Sequence, residues 1–397
     1  MADNSLLIDY LRFFRSWLTL PKSAKQAFRR DRKGKIGDDP GIDQAVSETI
    51  EWLARAQEFS ATGDGGVARH YSVIDGWGPS YPETTGYIVP TMLAYAKSHE
   101  NKALMDRTRR MLDWLVDIQL DGGGFQGGTV NDRPVVPVVF NTGQILIGLS
   151  AGSVEFDAPY TDSMHRAAQW LLDIQDDDGC WHKYHSPFAR SGDKTYDTHT
   201  AWGLIEAARA SGNSEYGDAA LRNIRWALGK QKDNGWFDDC CLTDPNYPLT
   251  HTLGYTLKGI IEGYLYSGDS DLLAAAMLTG KGLLSTVRPD GSIPGLLDRD
   301  FQAAAPWVCM TGSAQIAGCW LQLYQQTSDT SFLDAARTVN AYLRRRVSVD
   351  GPAERRGAVR GSYPINGDYG QYQYLNWAAK FFIDSNLLEK SIQGLET

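Results

Sequence analysis

Helical periodicity recurs along most of the chain, in segments of two alternating kinds. The first kind, such as 109–119 and 221–231, has apolar residues at three- and four-residue spacing with polar residues between them, which is typical of a helix with one buried face. An Asp-Gly or Asn-Gly pair follows, and glycine readily adopts the left-handed conformation that ends a helix. The second kind, such as 142–152 and 252–265, has fewer charges and more Gly and Ala, which indicates burial on several sides. The pattern predicts half-exposed helices that alternate with buried ones.

One sequence frame repeats with a period of about 56 residues. Around Gln175, the frame has Trp170 five residues before the glutamine, Gly179 four residues after it and Trp181 six residues after it. The other copies, of which the last two are degraded, are centred on Gln57, Gln119, Gln231, Val287 and Val347. Six two-helix units predict an all-α fold, an (α/α)6 toroid with an inner ring of six helices inside an outer ring of six. An open solenoid would bury the same faces, but six copies without polar end caps favour the closed ring.

The repeat also divides the chain. We predict an N-terminal segment over residues 1–45, the toroid over 46–390 and a tail over 391–397. Connections from the second kind of helix to the first are short, as at 211–213, whereas those from the first to the second run to about twenty residues. Long loops in compact domains are usually functional or disordered. We therefore expect the functional site at the end of the toroid where the long loops gather.

The N-terminal segment pairs an apolar stretch with a basic one. Leu6 to Leu20 predicts a helix, and seven Lys and Arg residues follow it between positions 22 and 35. An amphipathic helix with a basic cluster can bind an anionic membrane surface. The alternative, which the short length of the apolar stretch favours, is a helix packed on the toroid and a solvated basic linker.

Composition limits the classes of function. A net charge of −9 and a pI near 5.3 argue against a general nucleic-acid binder. Five cysteines and the lack of a secretory hydrophobic region predict a cytoplasmic protein, with association at the inner face of the membrane as the alternative. No apolar run reaches the length of a transmembrane helix. The expected partner is an oligosaccharide or polysaccharide, and no nucleic acid.

Candidate chemistry follows from the predicted pocket. The inner helices all begin at the same end, so their positive dipole ends converge there. Aromatic rings beside a carboxylate are suited to sugar rings, whose apolar faces stack while the hydroxyls find polar partners. The catalytic candidates at helix starts and long loops are Glu83, Asp197, His199, His251 and Tyr374. The binding candidates are Tyr71, Trp77, Tyr81, Arg133, Asn141, Gln144, Tyr196, Trp202, Arg360, Tyr363, Asp368 and Tyr369.

Structural roles remain open for several of these residues. Glu83 also fits an acid in the first turn of a helix, Asp197 an N-cap and His251 a buried structural histidine. Cys180, His182 and His185 are zinc-ligand types, but no fourth ligand has suitable spacing. The sequence therefore predicts no metal and no cofactor.

The repeated Gln-x-x-x-Gly-x-Trp/Phe frame resembles the QW motif of the squalene/hopene cyclase and protein prenyltransferase repeat. Two motifs of those enzymes are missing. Asp238-Asp239-Cys240-Cys241 does not match the cyclase Asp-x-Asp-Asp acid motif, and Phe140-Asn141-Thr142 stands where prenyltransferase zinc ligands belong. This resemblance implies the fold and not the activity.

A closer resemblance covers nearly the whole toroid. The stretches Gly76–Tyr87, Phe140–Gln144 and Asn376–Phe382 are similar to six-hairpin proteins of bacterial polysaccharide-biosynthesis clusters, the VpsJ type. The resemblance implies a glycan context and transfers no catalytic residues.

Three hypotheses follow. The favoured one is a carbohydrate-active enzyme: a glycoside hydrolase with Glu83 and Asp197 as its carboxylate pair, or a uronate lyase or epimerase with a base such as His199, His251 or Tyr374 and an arginine on the uronate carboxylate. The second is a non-catalytic glycan-binding or scaffold protein of exopolysaccharide synthesis. The third is a terpenoid-cyclase-like isoprenoid enzyme.

Overall fold

The computed structural model describes residues 17–34 and 37–395, and helices are the main regular structure of this part of the chain. Helix α1 (Lys22–Arg32) precedes the repeats. The half-exposed helices are α2 (Ile42–Glu58), α4 (Lys102–Asp117), α6 (Tyr160–Asp173), α8 (Ser214–Leu228), α10 (Ser270–Leu284) and α12 (Thr330–Arg344). The more buried helices are α3 (Pro82–Ser98), α5 (Val139–Phe156), α7 (Thr198–Ser211), α9 (Thr250–Ser267), α11 (Met310–Thr327) and α13 (Asn376–Leu395). The two kinds alternate as the sequence predicts.

The helices close into a double ring. Each inner helix from α3 to α11 packs against the next inner helix, and α13 packs against both α11 and α3. Helix α13 also packs on α2, so the first outer helix completes the last hairpin. The predicted (α/α)6 toroid is confirmed, and the open solenoid is excluded.

Small residues allow the inner helices to approach closely. A Cβ atom added at Gly148 would collide with the carbonyl oxygen of Gly86 on the neighbouring inner helix, and one added at Gly203 would collide with that of Gly143. The helix backbones therefore touch where a side chain would hold them apart. This contact explains the Gly content of the buried helices.

The repeated glutamine joins neighbouring outer helices. Gln175 Nε2 donates hydrogen bonds to the carbonyl oxygens of Gly179 (3.0 Å), in its own turn, and Ala219 (2.9 Å), on the next outer helix. Gln119 bonds in the same way to Gly123 (2.8 Å) and to Ser163 (3.0 Å), which again lies 44 residues ahead. Where the frame has its glutamine, it thus ties the turn to the next hairpin, which is a structural role.

The glycine of the frame is required by both conformation and space. Gly179 has a φ of +89°, and a Cβ atom there would lie 2.6 Å from the carbonyl oxygen of Arg222 on α8. Only glycine adopts this conformation without cost while the next helix lies so close. The same combination at Gly123, with φ +95° and a clash with Arg166, explains why the residue recurs.

We expect Gln175→Leu to lower the free energy of unfolding by about 1–3 kcal/mol, because two half-buried carbonyl groups lose their donor. Denaturant unfolding followed by circular dichroism measures the change. Gln169→Leu, at an exposed position on α6, the helix that precedes Gln175, is the control and should change stability by less than about 0.5 kcal/mol. Equal losses in the two variants would contradict the tying role of Gln175.

Short strands line the end of the toroid where the inner helices begin. Strand β1 (His70–Ser72) pairs antiparallel with β2 (Gly76–Trp77) and with β5 (Gln373–Leu375). Strand β3 (Val308–Cys309) pairs with β4 (Ser362–Tyr363), and a 3-10 turn at Thr195–Asp197 leads into α7. The long loops are therefore ordered by hydrogen bonds and form walls.

The basic stretch near the N-terminus is a docked helix, which corrects the predicted solvated linker. Ala24, Ala27 and Phe28 of α1 are buried. Asp31 of α1 pairs with Arg360 (3.2 Å) and accepts the Ile365 N–H (2.9 Å). The basic residues at positions 22–32 therefore belong to a helix that is fixed to the last long loop of the toroid.

The boundaries of the chain differ slightly from the predicted ones. Helix α2 begins at Ile42, inside the predicted N-terminal segment, and α13 continues through residues 391–395, where the sequence predicts a tail. Most of the predicted helix Leu6–Leu20 lies outside the described residues. Within the described ranges, no helix combines the length and apolar character required to cross a bilayer.

Candidate functional site

A pocket of about 210 Å³ opens at the end where the inner helices begin. The first turns of α3, α5, α9 and α13 contribute to its wall, and the loop before α7 covers part of it. Its lining residues are Arg69, Tyr81, Glu83, Phe140, Asn141, Ser186, Phe188, Ala189, Tyr196, Leu242, His251, Thr252, Tyr255, Tyr369 and Trp377. The pocket lies where the sequence predicts it.

Glu83 is a buried carboxylate in the first turn of α3, directly after Pro82. Tyr81 Oη donates to its Oε2 (2.7 Å), and Asn141 Nδ2 donates to the same oxygen (3.0 Å). Burial raises the pKa of Glu83 to about 7, while the Tyr81 hydrogen bond and the charge of Arg69 oppose this rise. Glu83 is therefore poised between the acid and the carboxylate near neutral pH.

His251 lies in the first turn of α9 and faces the same pocket. Its Nδ1 is 2.5 Å from Gln315 Oε1, and an amide oxygen can only accept, so Nδ1 carries the proton. The other ring nitrogen, Nε2, then keeps a free lone pair. Burial lowers the pKa of His251 to about 4, so the ring is neutral at pH 7.

Arg69 brings a positive charge to the pocket wall. Its guanidinium lies over the rings of Trp377 (5.1 Å) and Tyr81 (5.9 Å) and donates to Gln373 Oε1 (3.2 Å). Trp377 Nε1 donates to Tyr369 Oη (2.8 Å), which fixes both rings. The aromatic contacts hold the cation in place without neutralising it.

Aromatic rings form most of the remaining surface. Phe140 packs edge-on against Tyr196 (5.2 Å) and Tyr255 (5.0 Å), and Tyr255 packs against His251 (4.3 Å). Tyr255 Oη lies 3.4 Å from Tyr87 Oη. Such a surface, with a few polar groups, is suited to sugar rings.

The pocket brings together six of the residues singled out in the sequence. They are Tyr81, Glu83, Asn141, Tyr196, His251 and Tyr369. Their roles in binding or catalysis stay predictions, and their shared location supports those roles.

Asp197, His199 and Gln144, at or near the starts of inner helices, lie outside the pocket lining. Asp197 is buried at the end of the 3-10 turn, and burial raises its pKa to about 8. His199 Nδ1 bonds Gln144 Oε1 (2.5 Å), and both side chains are fully buried. The sequence identifies these positions as helix starts but does not give the direction of each side chain.

Candidates in the first and last loops form the sheet that supports the pocket. Tyr71 pairs with Trp77 and Tyr374 in the strands, and its ring packs against both of theirs (5.1 and 6.5 Å).

Two other candidates are exposed. Arg133 donates hydrogen bonds to the carbonyl oxygens of Val130 and Asp132. Asp368 is exposed, and neither Asp368 nor Arg133 lines the pocket.

Two candidates bind the N-terminal helix in place of a ligand. Arg360 donates to Asp31 Oδ1 (3.2 Å) and to the Arg346 carbonyl oxygen (2.6 Å), and Tyr363 Oη donates to the Asp31 carbonyl oxygen (3.3 Å). The predicted anion clamp is thus an internal ion pair.

Trp202 lies in a different cavity of about 270 Å³, which also contains Gln322 and Leu388 from the later turns of α11 and α13. Lys258 and Lys380 lie against the Trp202 ring at 4.5 and 5.7 Å.

The sequence prediction missed Arg69, Trp377 and Tyr255 in the pocket. The positions of two of these residues in the sequence could have indicated that they line the pocket. Trp377 is in the first turn of the last inner helix, and Tyr255 is one turn beyond His251 on α9. Arg69 has no such signal, because its position depends on the pairing of β1 with β5.

Comparison with known proteins supports the repeat and the fold. A family model described as the squalene-hopene cyclase C-terminal domain matches residues 126–261. A squalene–hopene cyclase of Bradyrhizobium diazoefficiens is 21% identical over 298 residues, which cover 56% of this chain and 44% of that enzyme. The chain therefore spans less than half the length of this curated relative. The predicted resemblance to the QW-type repeat is confirmed.

Solved structures of sugar enzymes share the whole toroid. An unsaturated glucuronyl hydrolase specific for heparin superposes with a TM-score of 0.71 at 15% identity, covering 89% of this chain and 98% of that chain. A D-mannose isomerase gives 0.69 at 13% identity (88% and 97%). The cellobiose 2-epimerase of Bacillus thermoamylovorans gives 0.65 at 11% identity (91% and 98%). These similarities show the fold, and the closer likeness to polysaccharide-cluster proteins stays a prediction.

Proposed function

We propose that this protein is a carbohydrate-active enzyme that transfers a proton at a sugar carbon next to a carboxylate, as a uronate lyase or epimerase does. The observation that carries the proposal is the pairing of Glu83 with His251 in one pocket. One is a carboxyl whose pKa is near 7, and the other is a neutral imidazole with a free nitrogen. The sugar substrates named for the glucuronyl hydrolase, the mannose isomerase and the cellobiose epimerase support the substrate class.

Arg69 supports an acidic sugar as the substrate. Within the described ranges, Arg69 makes no ion pair with an Asp or Glu side chain, although its guanidinium lies at the pocket wall. A guanidinium binds a carboxylate through two parallel hydrogen bonds. A uronate carboxylate bound to Arg69 would also neutralise the guanidinium, whose positive charge lowers the pKa of Glu83. Substrate binding would then keep Glu83 protonated.

The proton transfers follow from the protonation states. His251 takes the proton from the carbon next to the carboxylate with its Nε2. Protonated Glu83 donates from Oε1, because Tyr81 and Asn141 both bond to Oε2. Donation to the leaving glycosidic oxygen gives elimination, and donation to the opposite face of the same carbon gives epimerisation.

This assignment sets the pH dependence. His251 must be neutral, so activity falls below about pH 4. Glu83 must be protonated, so activity falls above about pH 7. A maximum between these values in kcat/KM is expected.

Glycoside hydrolysis by two carboxylates has less support. It requires a second carboxylate across the scissile bond, and among the described residues Glu83 is the only acidic side chain that lines the pocket. Asp197, the predicted partner, lies outside the lining. A glycan-binding or scaffold role would use the same aromatic surface but release no product. An isoprenoid enzyme would need the acid motif that the chain lacks.

Mass spectrometry of acidic and neutral oligosaccharides, before and after incubation in deuterated water, tests the proposal. Elimination gives one unsaturated fragment that is lighter by one water than its hydrolysis counterpart, while the other fragment is the same in both reactions. Epimerisation leaves the length unchanged and introduces one deuterium. Cleavage with addition of water would favour the hydrolase. Saturable binding without product or exchange would favour the scaffold role, and a bound prenyl chain would favour the isoprenoid enzyme.

We expect Tyr81→Phe to shift the alkaline limb of the kcat/KM profile upward by about 1–2 pH units. Tyr81 donates a hydrogen bond to Glu83 (2.7 Å) and so stabilises the carboxylate; such a bond to a charged group is worth about 1.5–3 kcal/mol. Without it, the pKa of Glu83 rises and the acid form persists to higher pH. Tyr71→Phe, outside the pocket, is the control and should not move the limb. A downward shift in Tyr81→Phe would show that Glu83 does not act as the acid.

A further inference from the structure

A group of metal-ligand side chains lies in the loop between α6 and α7, and other residues of this loop line the pocket. One atom each from Cys180, His182 and Asp193 lies within 4.8 Å of the others. Cys180 and His182 follow directly on the turn that ends at Gly179, whereas Asp193 comes just before the 3-10 turn at Thr195–Asp197. The sequence shows no suitable partner for the cysteine and histidine pair, and the fold supplies one from the far end of the same loop.

The hydrogen bonds of His182 fit a metal ligand. Its Nδ1 points to Asp193 Oδ1 (2.9 Å), within the group, and its Nε2 points to Asp178 Oδ2 (3.1 Å), outside it. A histidine bound to a metal through one ring nitrogen usually gives the other N–H to a carboxylate, which fixes the ring. Asp178 Oδ1 also accepts the N–H of Cys180 (2.9 Å), so it positions both residues.

Nearby negative charge adds to this environment. Asp178 and Asp193 both act electrostatically on the buried Cys180 thiol, and these carboxylates are suited to a cation. His185 Nε2 lies 3.7 Å from Asp193 Oδ1, outside the group itself. A thiolate, an imidazole and a carboxylate are all ligand types that Zn²⁺ takes in proteins.

We propose that Cys180, His182 and Asp193 form a Zn²⁺ site that fixes the loop that contributes to the pocket wall. Binding deprotonates the Cys180 thiol, and the proton is released to solvent. The ion joins the two ends of the segment that carries Ser186, Phe188 and Ala189 to the pocket wall. The site is structural, and it does not depend on which reaction the pocket performs.

The test is a zinc titration of the purified full-length chain after removal of metals, with bound zinc measured by mass spectrometry of the element. We expect one Zn²⁺ per chain in the unmodified protein. Cys180→Ser, His182→Gln and Asp193→Asn should each lose this binding, and Asp178→Asn should weaken it about 10- to 100-fold. Cys319→Ser, at a buried thiol in the other cavity, is the matched control and should bind like the unmodified protein.

Two further measurements make the outcome decisive even if Cys180→Ser folds poorly. The protein loaded with Co²⁺ in place of Zn²⁺ should show an absorption band from charge transfer between the Cys180 thiolate and the metal. The Cys319→Ser variant should show the same band, and the His182→Gln variant should not. Trypsin should cut at the exposed Lys183 and Arg190 more slowly when zinc is bound. Equal zinc in the unmodified protein and in His182→Gln, which would mean an adventitious ion only, or no zinc binding at all, would overturn the proposal.

Discussion

Replacing Glu83 by glutamine is expected to lower kcat by about 10²- to 10⁴-fold, the range lost when a general acid is removed, while the fold stays intact. Glutamine has the same shape, and its amide oxygen can accept the bonds that Tyr81 (2.7 Å) and Asn141 (3.0 Å) give to Glu83 Oε2. The variant therefore loses the transferable proton and little else. Product formation on the active oligosaccharide, followed by mass spectrometry, measures the loss.

The free energy of unfolding of the Glu83→Gln variant distinguishes a chemical role of Glu83 from a structural one. Burial raises the pKa of Glu83 from its ordinary 4.5 to about 7, so the folded protein binds this proton more tightly than the unfolded chain does. The contribution to stability is present below pH 4.5 and is lost as the pH rises through 7, on the order of 3 kcal/mol. A neutral glutamine avoids this loss. Glu83→Gln should therefore be at least as stable as the unmodified protein at pH 8.

Two outcomes would contradict this assignment. Full activity in Glu83→Gln would exclude Glu83 as the acid, and a large loss of stability at pH 8 would show that the carboxylate is needed for folding. Glu215→Gln, at an exposed site on α8, is the control for the effect of removing a carboxylate. It should leave both activity and stability unchanged.

The fold was predictable because the physical constraints repeat. The glutamine that bonds a turn and the next outer helix appears in almost the same way at Gln119, Gln175 and Gln231. A period of about 56 residues is therefore visible without any structure. The end of the ring that carries the pocket follows from loop length alone.

The site was only partly predictable because a helix start does not determine the direction of a side chain. His199 and His251 both lie in the first turn of an inner helix and both bond a glutamine through Nδ1. Only His251 lines the pocket, because the ring of His199 is fully buried beside Phe140 and Trp202. This difference comes from how neighbouring hairpins pack, which the sequence of one hairpin does not contain.

Long-range pairing accounts for the remaining differences. Arg360 is a binding candidate in the sequence, but its guanidinium pairs with the carboxylate of Asp31, which lies 329 residues earlier in the chain. Arg69 reaches the pocket wall because β1 pairs with β5, which is some 300 residues away. No local pattern encodes such contacts, so the sequence shows neither the ion pair of Arg360 nor the place of Arg69 at the pocket wall.

His251→Asn is expected to abolish exchange of the substrate carbon proton with solvent and to lower kcat by about 10²- to 10⁴-fold. The asparagine amide nitrogen takes the place of Nδ1 and can keep the bond to Gln315 Oε1, whereas nothing replaces Nε2. The variant thus removes the base and keeps the helix contact. Deuterium incorporation measured by mass spectrometry reports the step directly.

His199→Asn is the matched control, because His199 makes the corresponding bond to Gln144 and does not line the pocket. It should keep the exchange, so a loss confined to His251→Asn would mark Nε2 as the base. The two variants also separate chemistry from binding. Because Arg69 and the aromatic rings are untouched, KM should change little in His251→Asn while kcat falls. Exchange that persists at the original rate in His251→Asn would exclude His251 as the base, and with it the proposed direction of proton transfer across the pocket.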